Sequence, residues 1–139
     1  MTPQQIELVQ KTFAQVKPIA GDAAALFYAR LFELDPSLRA LFRKDMAVQG
    51  QMLMAMIGSA VASLRDLPRV VPVLRDMGAR HAGYGVRDEH YATVGSALLW
   101  TLERGLGDAF TPEVSQAWAA AYAILSQTMI EGSRQAVAV

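Results

Sequence analysis

The chain contains two histidines, His81 and His90, and no cysteine. That inventory bounds the chemistry it can do with metals. Neither a His-Glu-x-x-His helix nor paired Glu-x-x-His motifs occur, which argues against zinc hydrolase and di-iron chemistry. Disulfides, thiolate metal sites, thiol nucleophiles and covalent cofactor attachment through Cys-x-x-Cys-His are excluded outright. A lone imidazole donor remains. His81 ends the apolar stripe Val70, Leu74, Met77, and its position alone leaves it open between a hydrogen-bonded core residue and a metal ligand. His90 falls in the first turn of a helix, where a solvated surface role is the simpler reading. Two other polar residues sit in apolar surroundings. Gln49 shares a helical face with Leu53 and Ile57, which turns it inward. Tyr28 reads on its own as a core tyrosine with a satisfied hydroxyl.

Helices must position these residues, and the punctuation between them is legible. Thr2-Pro3-Gln4-Gln5 combines a hydroxyl cap, a proline at the first helical position and a glutamine at N3. It predicts a first helix with Ile6, Val9, Phe13 and Val16 inward, interrupted by Pro18 and Gly21. A second helix runs from Gly21 or Asp22 to Leu34. Asp35-Pro36 repeats the cap-then-proline signal and opens a short, tight third helix, Ser37 to Phe42, ended by Arg43, Lys44 and Asp45. From Met46 to Leu64, the residues Gln49, Leu53, Ile57, Val61 and Leu64 recur at spacings of four and three on one face. Leu67-Pro68 starts the helix that His81 nearly closes, before Gly83 and Gly85. Asp88 is the expected cap of a long helix carrying Tyr91, Val94, Leu98 and Leu102, closed by Gly105 and Gly107. Thr111-Pro112-Glu113 opens the last, with Val114, Trp118, Ala121 or Tyr122, Leu125 and Met129 inward. No strand-length alternation or internal repeat is present. The reading is all-α, about seven helices, in one domain over residues 1–139.

Composition narrows the partners. Thirteen basic residues balance thirteen acidic ones, and no run of like charge reaches five, so no nucleic-acid partner is expected. The longest apolar stretch, Met52 to Leu64, falls short of the roughly 18 residues of a membrane span and contains Gly58, Ser59 and Ser63. The N-terminus lacks the basic and apolar segments of a secretory peptide. A cytoplasmic protein with no membrane partner is expected.

Taken in order, several short words resemble the globin family, specifically the single-domain bacterial globins related to the haem domain of flavohaemoglobins. They are Phe27-Tyr28-x-Arg30-Leu31-Phe32, Asp35-Pro36, Leu41-Phe42, Gln49-x-x-x-Leu53, Leu67-Pro68, Arg80-His81, His90-Tyr91-x-x-Val94-Gly95 and Ala117-Trp118-x-x-x-Tyr122. The resemblance spans the chain, and it implies a globin fold around one non-covalent b-type haem. It makes His81 the proximal ligand of the iron and Phe42 the ring stacked on the porphyrin. Tyr28, Gln49 and Leu53 become the distal residues over the sixth iron site. Tyr91, Val94 and Leu98 take proximal and porphyrin-contacting positions. Arg80 matches a basic residue that can pair with a propionate. Ile57, Leu74, Met77 and Val86 complete the implied haem contacts.

Chemistry supports those roles. A neutral imidazole near a helix end can donate its other ring proton to the carbonyl one turn back, near Met77, which sets the tautomer. A diatomic ligand such as O2 gains partial negative charge at haem iron, so the Tyr28 phenol and the Gln49 amide can each donate to it in a dry pocket. One part of the family pattern breaks. Flavohaemoglobins pair the proximal tyrosine with a late glutamate, whereas the matching spacing here falls near Gln135, with Glu131 one turn earlier. Three readings follow. The first is a carrier, store or scavenger that binds O2 reversibly, as well as NO or CO. The second is a nitric oxide dioxygenase served by an external reductase. The third is a haem-based gas sensor. The expected assembly is a monomer or homodimer.

Overall fold

The computed structural model describes residues 1–42 and 45–137. Its six α-helices are α1 (Pro3–Val16), α2 (Ala20–Leu34), α3 (Met46–Ala62), α4 (Leu67–Gly83), α5 (Asp88–Leu106) and α6 (Pro112–Val137). Short 3-10 turns follow α1, α2, α3 and α5, and no strand occurs among the described residues. The expected third helix is one of these turns, Pro36–Leu41, opened by the Asp35 carboxylate accepting from the Ser37 amide. At six residues it is longer than most 3-10 runs, which seldom exceed three or four. Two of the residues expected to end it, Arg43 and Lys44, lie outside the described residues.

Local signals explain the boundaries. Thr2 caps α1 in a reciprocal capping box with Gln5. The Thr111 hydroxyl accepts from the Val114 amide at the start of α6. Asp88 is not the cap of α5. Arg87 occupies that position, and its backbone N–H donates to Nδ1 of His90 at 2.9 Å. His90, expected to be a solvated surface residue, is partly exposed and accepts at the helix end.

The core forms three apolar clusters. The largest joins α1, α3, α5 and α6 through Val9, Val16, Val61, Leu102, Ala117 and Trp118. The Trp118 indole N–H donates to the Thr12 hydroxyl at 2.8 Å, which satisfies both buried groups. A second cluster gathers Phe27, Tyr28, Leu31, Leu38 and Ala97. The third centres on Leu74, Tyr91 and Met129. The second and third flank the two faces on which the candidate site is built. No single described helix is long and apolar enough to cross a membrane.

Candidate haem site

On one wall, α2 and α3 approach closely because Gly50 is buried. A Cβ added there would lie 3.0 Å from the Ala24 side chain. This brings Gln49 beside Tyr28, whose hydroxyl donates to the Gln49 backbone carbonyl at 3.4 Å. That is long for an O–H···O bond and weak, so the phenol can exchange it for a better acceptor. Three rings hold Tyr28 in place. Phe27 and Phe42 meet it edge-on with centroids 5.1 and 5.3 Å away, and Phe32 stacks at 6.0 Å. Phe42 also meets Phe32 edge-on at 5.6 Å, and the Arg39 guanidinium donates to the Phe42 carbonyl. Burial pushes the Tyr28 phenol up to about 12, so it remains a protonated donor at neutral pH.

Gln49, Leu53 and Ile57 follow one another down α3 at four-residue spacing and are all half-buried. Leu53 packs with Val94 and Leu98 of α5 in the same cluster as Tyr28 and Phe42. Leu53, Ile57 and Leu98, with Phe13 and Trp118, line a small apolar cavity of about 20 Å³. An apolar lining of this kind stays dry.

The candidate imidazole is carried by α4. Nδ1 of His81 lies 2.7 Å from the Met77 carbonyl oxygen. Since that carbonyl only accepts, Nδ1 carries a proton, and in the neutral ring Nε2 then keeps its lone pair. The helix then ends in a Schellman motif. Val86 N–H donates to the His81 carbonyl and Gly85 N–H to the Ala82 carbonyl, with Gly85 at φ 97°. Glycine meets this backbone requirement without strain, and the motif folds Val86 back toward His81. Val86, Met77 and Val70 pack on the cluster of Leu74, Tyr91 and Met129.

Tyr91 is buried, and its hydroxyl has no hydrogen-bond partner among the described residues. Its backbone carbonyl accepts instead from the Tyr122 hydroxyl at 2.6 Å. That ring fits only because Gly95 has no Cβ, which would stand 2.7 Å from it. Burial raises the Tyr91 phenol above its ordinary value, and Asp88 adds to the effect. Glu131 does not reach it. The carboxylate pairs with Arg75 at 3.6 Å on the surface, 47% exposed. Gln135 belongs to α6, but its side chain lies outside the described residues. Arg80 is exposed and paired with Asp76 at 3.0 Å, one turn back.

These residues fit a haem. The donor set is one imidazole with a defined free nitrogen, and the other candidate residues are a buried phenol, Tyr28, and partly buried apolar side chains of α3 and α5. No cluster of three or more His, Cys, Asp or Glu suited to a bare metal ion exists among the described residues. A family model for globins matches residues 25–129. The chain belongs to the globin family. This globin is 30% identical to a flavohemoprotein of Bacillus subtilis over 128 residues, which covers 90% of the chain and 32% of that relative. It is 34% identical to the flavohemoprotein of Bordetella parapertussis over 137 residues, covering 96% and 34%. The chain thus spans about a third of the length of these relatives. Among solved structures, it resembles an engineered carbene transferase built on a protein assigned as a nitric oxide dioxygenase from Rhodothermus marinus. The TM-score is 0.88 at 27% identity, covering 99% of this chain and 96% of that one.

Sequence reasoning missed several supports of the site. Phe27 and Phe32 flank Tyr28 at −1 and +4, and the +4 spacing alone places Phe32 on the tyrosine's face. Gly50, Gly78 and Gly132 lie inside helices. There a glycine costs stability unless a close approach requires it.

Proposed function

We propose that this globin binds O2 reversibly on a non-covalent b-type haem held by His81, with NO and CO as competing ligands. The observation that carries the reading is the His81 ring. Its Nδ1 proton is engaged by Met77 at 2.7 Å, so Nε2 is the free donor on an otherwise apolar wall. When bound, haem would supply an iron able to take up a diatomic gas, with His81 as the residue that would hold it. The protein's part is electrostatic and steric. Tyr28 presents a protonated phenol, and Gln49, whose backbone carbonyl lies beside it, would bring its side-chain amide to where such a ligand gains negative charge. Phe42, Leu53, Ile57, Val94 and Leu98 exclude water, and Leu74, Met77, Val86 and Tyr91 support the porphyrin from the other side. Arg80 can swing from Asp76, a surface partner worth little, to a propionate. In this reading residues 1–139 act as one globin domain in the cytoplasm.

The deciding experiment is the absorption spectrum of the protein after haem reconstitution. Five-coordinate ferrous and stable oxygenated forms are expected, and absence of a Soret band would remove the proposal. A second reading, nitric oxide dioxygenase, draws on the name of the solved relative. It requires a reductase outside these 139 residues. The Glu131–Arg75 pairing counts against proximal activation of the kind that would favour it. Steady NO consumption with a supplied flavin reductase would support turnover. A single round of consumption would restrict the function to binding.

A further inference from the structure

Of the glycines, the two that an added Cβ would crowd most lie where α4 crosses α6, close to His81. An ideal Cβ on Gly78 of α4 would stand 1.8 Å from the Met129 carbonyl oxygen and 2.7 Å from the Met129 Cα. One on Gly132 of α6 would stand 2.0 Å from the Arg75 carbonyl oxygen and 2.6 Å from the Arg75 Cα. Each glycine sits on the backbone opposite its partner, three residues along each helix. The two helices therefore meet backbone to backbone at two points, closer than the usual 8–10 Å helix spacing allows with side chains between them.

Gly78 follows Met77, whose carbonyl holds Nδ1 of His81, and precedes His81 by three residues. Three residues turn the helix by 300°, so the two Cβ directions lie about 60° apart. A methyl group at Gly78 must push α4 away from α6 by more than about 1 Å, because carbonyl oxygens of a packed helix have little freedom to yield. About half of that displacement falls along the direction His81 faces, given the 60° offset. It withdraws the imidazole from the opposite wall. Gly132 controls the same spacing from the other helix.

We propose that Gly78 and Gly132 are positioning residues that set how far His81 reaches, and hence the strength of its bond to haem iron. The proposal rests on His81 as the haem ligand. Their role is to remove bulk from one crossing, so that α4 is seated by backbone contact and not by deformable side chains.

The test uses haem-reconstituted wild type, Gly78→Ala, Gly132→Ala and Gly83→Ala. Gly83 is in the same helix, and an added Cβ there meets nothing within 4 Å. The readouts are the iron–histidine stretching band of the ferrous protein by resonance Raman and the rate of haem loss to an apo-acceptor. Gly78→Ala and Gly132→Ala are expected to move the band to lower frequency. They should also release haem about tenfold faster or more, the range found when groups supporting a metal ligand are disturbed. Gly83→Ala is expected to match wild type. Folded, haem-loaded variants with an unmoved band, or one moved upward, would overturn the proposal even if their stability fell. Failure of both crossing variants to fold, with Gly83→Ala intact, would make the crossing a folding requirement and overturn it as well. A wild type without a Soret band would instead remove the haem reading beneath it.

Discussion

The two walls of the site are held by different means. The distal wall, α2 with α3, is built from side chains. Tyr28 is steadied by three aromatic rings and a long, weak hydrogen bond to Gln49. The proximal wall, α4, rests on α6 through two glycines with backbone against backbone, and its histidine is tied to a carbonyl at 2.7 Å. Side-chain packing can shift by rotamer changes to admit a ligand, whereas crossed backbones cannot yield without moving a helix. The comparison teaches a division of labour that suits the proposed function: a compliant side for an arriving gas, and a stiff one for anchoring an iron ligand.

The sharpest attempt to break this division is His81→Ala. It should abolish the ferrous five-coordinate histidine spectrum, and added imidazole should restore much of it. Retention of that spectrum without imidazole would place the ligand elsewhere. On the distal side, Leu31 is 1% exposed among Phe27, Tyr28 and Leu38. Leu31→Ala should cost about 2–5 kcal/mol of unfolding free energy in denaturant titrations, because the void cannot fully close. The iron–histidine band should stay in place, since the proximal wall does not depend on this cluster.

Tyr28→Phe removes the distal donor alone. The O2 dissociation rate should rise roughly tenfold, equivalent to about 1.4 kcal/mol. An unchanged rate would mean that the phenol never leaves the Gln49 carbonyl. The same tyrosine has a signature in alkali. Its folded-state value, about 12, exceeds the unfolded one, near 10. Between those values the unfolded chain has released the proton and the folded chain still holds it. Stability is therefore unaffected below pH ~10 and falls as the pH rises toward ~12. Tyr28→Phe should show a shallower fall in alkaline denaturation. The smallest expected effect is Glu131→Gln. The Arg75 pair is solvent-exposed, so stability should change by less than about 1 kcal/mol and the iron–histidine band should not move. A shifted band would join Glu131 to Tyr91 after all.

Much of the candidate site is legible in the sequence because its residues recur at helical spacing. Gln49, Leu53 and Ile57 share a face by the 3.6-residue period, and His81 falls one turn beyond Met77. Their order along the chain carried the family resemblance that a single histidine could not. The cap of α5 was misplaced by one residue because Asp88 is the stronger conventional cap. The sequence has no way to announce that a histidine ring three residues on accepts from Arg87 instead.

By itself, then, the sequence determined the helical class, the inward stripes, the absence of thiol chemistry and a lone candidate axial imidazole. These are consequences of residue type and local period. Only the tertiary structure decided that Glu131 turns to Arg75, that the Tyr91 hydroxyl has no partner among the described residues, and that Gly78 and Gly132 each face the backbone of the other helix. Those outcomes depend on which segments, distant along the chain, approach each other and at what distance. Residue spacing within one helix holds no record of that.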